Sequence, residues 1–154
     1  MVAIALYQPD IPQNLGSILR LCACMDVTCH IIEPCGFILD DKRVARVAMD
    51  YIDHVKWQRH ASWEVFKATV KSRIILLSTK AKGSYLDFSF RDTDILLLGR
   101  ESAGVPQEVV DYADATVRIN MPPYARSLNI ALAASMVLGE AVRQINSDIS
   151  VEIG

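Results

Sequence analysis

Residues 94–106 read DILLLGRESAGVP, an apolar run that stops at a turn in which Gly99 and Gly104 flank the charged pair Arg100 and Glu101. The run shows no polar alternation, so both of its faces are to be buried, the pattern of a strand inside a parallel sheet. Pro106 then stands where the first turn of a short helix tolerates a missing N–H. The same rhythm extends in both directions. Strand-like runs at 2–7 (VAIALY), 28–32 (TCHII), 54–57 (HVKW), 73–78 (RIILLS) and 115–119 (ATVRI) alternate with helix-like segments. Those segments cover 14–25, the basic stretch 41–51, 62–71 with Ser62 as N-cap, and about 127–145. Alternating strands and helices predict an α/β domain whose mainly parallel sheet is flanked by helices on both faces. Ligands of such sheets bind at the carboxyl ends of the strands, which directs attention to the loops after residues 7, 78, 98 and 119.

The 154 residues are expected to form a single domain, 1–154, with 146–154 (NSDISVEIG) as a flexible tail. With 51% hydrophobic and 22% charged residues, the chain can build a conventional core. No apolar run approaches the roughly 18 residues of a membrane span. The start, MVAIALYQPD, lacks the basic region of a signal peptide, so a cytoplasmic protein without membrane association is expected. Cys22, Cys24, Cys29 and Cys35 match no zinc spacing and read as buried reduced thiols; no metal is expected. His54 and His60 lie in a polar stretch and read as solvated.

Three of the four loops are unusual. In QPDIPQNLGSILR, Asn14 and Gly16 open a helix, with Asn14 as a candidate N-cap or ligand group. Arg20 interrupts the apolar run ILRLCACM, where a buried charge would need a partner. The GRESAG turn has neither the Walker nor the dinucleotide glycine pattern, and Glu101 would repel a phosphate. It is either a tight turn closed by an ion pair to Arg100, Arg20 or Arg126, or a site for a neutral or cationic ligand. In NMPPYARSLNIALAASMVLGEA, Ser127 is the candidate N-cap of a last helix that is apolar nearly all round. Ala133, Ala134, Ser135 and Gly139 would let another helix approach closely, as at a subunit interface.

Taken together, Asn14-x-Gly16-x3-Arg20, Gly99-x-Glu101-x2-Gly104 and Ser127-x-Asn129 resemble the three motifs of the SPOUT superfamily of RNA 2′-O-ribose methyltransferases. The stretches IALYQPDIPQNLGSILRLCA and HIIEPCGFILDDKRVARVAMDY bring the likeness closest to its small members that methylate the tRNA wobble nucleotide. The resemblance implies a SPOUT-type knotted fold with a C-terminal trefoil knot and a homodimer whose sites are completed across the interface. It implies S-adenosyl-L-methionine as methyl donor, held by Leu77, Ser78, Gly99, Glu101, Ile119, Met121 and Leu128. Catalysis would rest on Arg20, with Ser127, Asn129 and Asn14 orienting substrate and loops, and Glu101 holding the site together.

The substrate so implied is the wobble cytidine or modified uridine of tRNA, leucine tRNAs in particular, read in the anticodon stem-loop. Another tRNA or ribosomal RNA position, or an inactive RNA-binding protein, would fit the same motifs. A formal charge of −2 confines RNA contact to a local patch, for which Lys42, Arg43, Arg46, Lys80, Lys82, Arg100, Arg118 and Arg126 are candidates. Arg100 replaces a proline that close members carry after the motif glycine.

Overall fold

The computed structural model describes residues 1–147. Of the expected tail 146–154, residues 146 and 147 belong to the last helix and the rest lies outside the described residues. Six strands form one all-parallel sheet: β1 (Ala3–Tyr7), β2 (Thr28–Ile32), β3 (Lys56–His60), β4 (Ile74–Leu77), β5 (Ile95–Leu98) and β6 (Ala115–Val117), in the order β3-β2-β1-β5-β4-β6. The helices are α1 (Pro12–Met25), α2 (Asp41–Ala48), α3 (Trp63–Thr69), α4 (Gln107–Tyr112) and α5 (Ile130–Ser147). None of them is long and apolar enough to cross a membrane.

Alternation hides inside the apolar strands. In β1, Ile4 and Leu6 join Leu15, Ile18, Val44, Val137 and Leu138 on the face covered by α1, α2 and α5. Ala3, Ala5 and Tyr7 face the other way, onto Trp63, Phe66 and Val109 of α3 and α4. Each fully buried Leu or Ile contributes about 1.5–3 kcal/mol to this sandwich. At the opposite end of the sheet from the loops, fully buried Asp94 accepts Arg73 Nε at 2.7 Å and Nη2 at 2.6 Å. It also accepts the Arg91 amide, while its carbonyl accepts the Ala3 amide, so one residue pins the starts of β1, β4 and β5. Gly16 brings α1 against α2: a Cβ there would lie 2.7 Å from the Val47 carbonyl oxygen.

Several expectations are corrected. The third strand runs over Lys56–His60, shifted toward its C-terminus from 54–57, because its exposed polar residues hide the pattern. The basic helix ends at Ala48 and gives way to a 3-10 turn at Met49–Tyr51. The last helix begins at Ile130, and its N-cap is Asn129, whose Oδ1 accepts the amides of Ala131 and Leu132; Ser127 is no cap. Ala134 packs in this chain's own core, leaving Leu132, Met136 and Gly139 on the open face of α5. Cys22 and Cys29 are buried as expected, but Cys24 is exposed and Cys35 half-buried.

His54 is exposed, but His60 is buried at the end of β3. Its Nε2 lies 2.9 Å from Nδ1 of buried His30, and both rings pack edge-on against Phe66. One nitrogen must donate and the other accept, which two neutral imidazoles satisfy. Burial, reinforced by His60, lowers the His30 pKa to about 4, and burial lowers that of His60. Between about pH 6.5 and pH 4 the unfolded chain therefore binds more protons than the folded one, and stability falls as pH is lowered through that window. A lower Tm at pH 4.5 than at pH 7 is expected, with a flatter dependence in His30→Gln. Equal slopes in the two proteins would remove the pair as its origin.

Candidate active site

A cavity of about 720 Å³ opens where the loops after β4, β5 and β6 meet the start of α5. The local sequence dictates the shape of its central wall. Arg100 and Gly104 exchange backbone hydrogen bonds at 2.9 Å in both directions, closing the turn that ends the opening motif. Gly104 has φ +66, and a Cβ on Gly99 would lie 2.7 Å from the Gly104 carbonyl carbon. Both glycines are therefore required by the turn itself.

Glu101 fastens that turn to the loop after β1. Its Oε2 accepts the amides of Asp10 at 3.0 Å and Ile11 at 2.6 Å, so the ion pair to Arg100, Arg20 or Arg126 is not what it makes. Asp10 returns the contact. Its Oδ1 accepts both Nε and Nη2 of Arg100, and its Oδ2 accepts the Ser102 amide and hydroxyl. Arg100 also reaches Gln8 Oε1 at 3.3 Å, so it is committed within the protein rather than presented to RNA. The Arg100 guanidinium, then the Ser102 hydroxyl, hold the Asp10 pKa down at about 2. Burial acts the other way on Glu101 and raises its pKa against the pull of the two amides. Its Oε1 is buried with no hydrogen-bond partner among the described residues, an acceptor at the cavity wall.

Asn129 ties the ends of the chain together. With its Oδ1 on the first amides of α5, its Nδ2 donates to Asn14 Oδ1 at 2.9 Å. Asn14 is buried in the first turn of α1, inside the helix rather than at its N-cap, which is Ile11. The orientation of one amide thus sets the other, and leaves the Asn14 amino group turned away from this bond.

The residues named as catalytic or cofactor-binding candidates line this one cavity, with one exception. Leu77 and Ser78 come from the loop after β4, Gly99 and Glu101 from that after β5, and Ile119 and Met121 from that after β6. Ser127, Leu128, Asn129 and Asn14 complete it. Arg20 is the exception. Six residues beyond Asn14, or about 9 Å of helix rise and another side of α1, it is exposed and does not line the cavity. Its guanidinium instead meets Met49 and Tyr51, so the expectation of a buried charge is corrected. Asp10, Gln8 and Ser102 were missed. The signal for Asp10 was an acid in the first loop opposite an arginine in the second, which no local pattern connects. A second hollow, about 410 Å³, continues past Met121 with Arg118 and Arg126 on its walls. Among the described residues no His, Cys, Asp and Glu cluster could hold a metal.

An all-parallel α/β sheet whose cavity is built by strand-end loops and the last helix is the architecture of one class of RNA methyltransferases. The SpoU rRNA Methylase family model matches residues 1–139, and the chain belongs to that family. It is 56% identical over 147 residues to the tRNA (cytidine(34)-2′-O)-methyltransferase of Beijerinckia indica, covering 94% of this chain and 92% of the relative. The protein of the same description from Escherichia coli K12 is 40% identical, with 94% of each chain covered. A solved structure described as giving structural insights into the 2-OH methylation of C/U34 on tRNA superposes with a TM-score of 0.87 at 38% identity, over 94% of this chain and 95% of that one. The SpoU methyltransferase AviRb from Streptomyces viridochromogenes, in complex with the cofactor AdoMet, gives 0.79 at 28% identity, over 94% and 60%.

Because the Glu101 carboxylate accepts the amides of both Asp10 and Ile11, Glu101→Ala should cost about 1–3 kcal/mol of stability. Urea unfolding would read this as a lower midpoint at unchanged slope. An unaltered midpoint would mean that the two loops do not depend on the carboxylate.

Proposed function

We propose that this chain is an S-adenosylmethionine-dependent methyltransferase that modifies the ribose 2′-hydroxyl of the wobble nucleotide of tRNA, cytidine above all. The observation that carries the reading is the convergence of all three motif segments on one cavity, the first and third joined by the Asn14–Asn129 hydrogen bond and the second held by the Glu101 and Asp10 contacts. The cofactor fits what lines it. Backbone and apolar groups from Leu77, Ser78, Gly99, Ile119, Met121 and Leu128 suit an adenine edge and a thioether tail, and the unpartnered Glu101 oxygen suits a cationic or N–H-bearing ligand while disfavouring a phosphate. When bound, S-adenosylmethionine supplies an electrophilic methyl group on a sulfonium.

The chain's own residues then have distinct tasks. Asn129 and Asn14 fix the mouth of the cavity, and Ser127, exposed beside them, offers a hydroxyl to the incoming nucleotide. As the 2′-oxygen takes the methyl group from the sulfonium, which becomes a neutral thioether, its proton passes to the adjacent RNA phosphate and on to water, and the oxygen takes on alkoxide character in between. Arg20 stabilises that charge or holds the neighbouring phosphate, since a guanidinium does not act as a base.

Arg20 sits outside its own chain's cavity, which favours a homodimer in which it serves the partner's site. The open face of α5, with Leu132, Met136 and Gly139, is the surface for that pairing. Residues 78–85 wrap the end of β6. Val117 O accepts Ser78 N on one side, and on the other Arg118 donates to Gly83 O and accepts from Tyr85 N. That wrapping supports a trefoil knot closed by the passage into α5. The substrate is the anticodon stem-loop, leucine tRNAs being the expected species, and the enzyme works with the tRNA pool in the cytoplasm. Lys80 and Lys82, with Arg118 and Arg126 around the second hollow, are the exposed cations nearest the cavity and are assigned to phosphate contacts.

The deciding experiment is methyl transfer from labelled S-adenosylmethionine to tRNA from a strain lacking this protein, with the product mapped by digestion and mass spectrometry. A 2′-O-methyl group at the wobble nucleotide is expected; methylation elsewhere would overturn the substrate, and none at all would overturn the activity. Arg20→Ala should lower kcat by about 10²–10³ with cofactor affinity retained, whereas Gly99→Ala should abolish cofactor binding. Co-expressing these two inactive variants should recover activity if Arg20 acts across the dimer, and should not if it acts within one chain. Leu132→Glu or Gly139→Glu should give inactive monomers; dimeric variants would move the interface off α5.

A further inference from the structure

Arg20 is gripped by two residues that follow α2 and, like it, do not line the cavity. Its Nη2 lies 3.3 Å from Met49 Sδ, and its guanidinium carbon lies 5.2 Å from the centroid of the Tyr51 ring. The backbone that presents these groups is strained. Met49 has φ 53 and ψ −129, a region that glycine enters freely and a long side chain does not. Packing does not account for the strain, because Met49 is 58% exposed. What the conformation does accomplish is local. It ends α2 after the Met49 amide has reached Ala45 O and swings the chain into the turn where Tyr51 O accepts the amides of His54 and Val55. That fixes the Tyr51 backbone beneath Arg20. Strain kept at an exposed position next to a functional group marks pre-organisation rather than folding.

We infer that Met49 and Tyr51 are positioning residues for Arg20. The ring and the thioether hold the guanidinium in one orientation before RNA arrives, so that its remaining N–H donors face outward together. A long flexible cation on an exposed helix face would otherwise have to be ordered during each encounter, and pre-ordering lowers that cost. The inference rests on the reading of Arg20 as the group that stabilises the developing alkoxide.

Three full-length variants test it: Tyr51→Leu, Tyr51→Phe and Met49→Gly. The orientation of Arg20 is followed by its Nε–Hε NMR signal, assigned through Arg20→Lys, alongside steady-state methylation of tRNA. In wild type and Tyr51→Phe the signal should sit at a ring-shifted position, and kcat should agree within about twofold, since the ring face is kept. Tyr51→Leu should move the signal to its exposed position and lower kcat about tenfold at unchanged KM for S-adenosylmethionine, the pattern of an interaction lost in the transition state only. Met49→Gly should relieve the backbone and raise Tm by roughly 2–4 °C while lowering kcat severalfold, opposite signs that a merely structural role would not produce. An unmoved signal in Tyr51→Leu, or a Met49→Gly variant that gains both stability and turnover, would overturn the inference. A moved signal with unchanged kcat would overturn the role of Arg20 itself.

Discussion

The site depends on the reciprocal hold between Glu101 and Asp10. One carboxylate takes the backbone amides of the first loop, and the other takes a guanidinium, an amide and a hydroxyl from the second. Ninety residues apart in the chain, the two loops become one wall chiefly through this exchange, because the strands beneath them, β1 and β5, merely bring their ends side by side. Hydrogen bonds to charged groups are stronger than neutral ones, and here they are spent on backbone rather than on ligand. The ligand is left with what remains: glycine backbone, apolar side chains, the neutral polar groups of Ser78, Ser127 and Asn14, and the Glu101 oxygen that has no partner among the described residues.

The fold was legible in the sequence because it follows from local rules, whereas the residues named for the candidate site came from the resemblance to the SPOUT motifs. Continuous apolar runs announce buried parallel strands, and Gly99 and Gly104 announce a turn that no other residue fits. What was hidden depends on pairing at a distance. His60 looked solvated in its polar stretch, yet β2–β3 register sets it beside His30. Arg100 looked available to RNA until Asp10 was found against it. Arg20 looked buried from its neighbours, but the helix turns it outward, and helical phase is uncertain when the start of the helix is misjudged.

Asn129 shows how one small amide can be asked for two things. As N-cap it sets where α5 begins, and by the same geometry it must point its amino group at Asn14. Capping residues are usually exchangeable among Ser, Thr, Asp and Asn. Here Asp would present an acceptor to Asn14 Oδ1 and force the Asn14 amide to turn over, and Ser or Thr would fall short of it, so Asn alone serves both helices without rearrangement.

The two borders of the sheet have a consequence for how copies of this chain can meet. On the β3 side the outermost strand is polar, with Lys56 paired to Asp26 and Arg59 to Glu33. On the β6 side residues 83–85 already occupy the outer hydrogen-bonding positions beside Arg118. The charged side chains of the β3 border and the pairing of Gly83 and Tyr85 with Arg118 at the β6 border both work against templating another strand. Growth of the sheet from molecule to molecule, the route to fibres, is thereby discouraged.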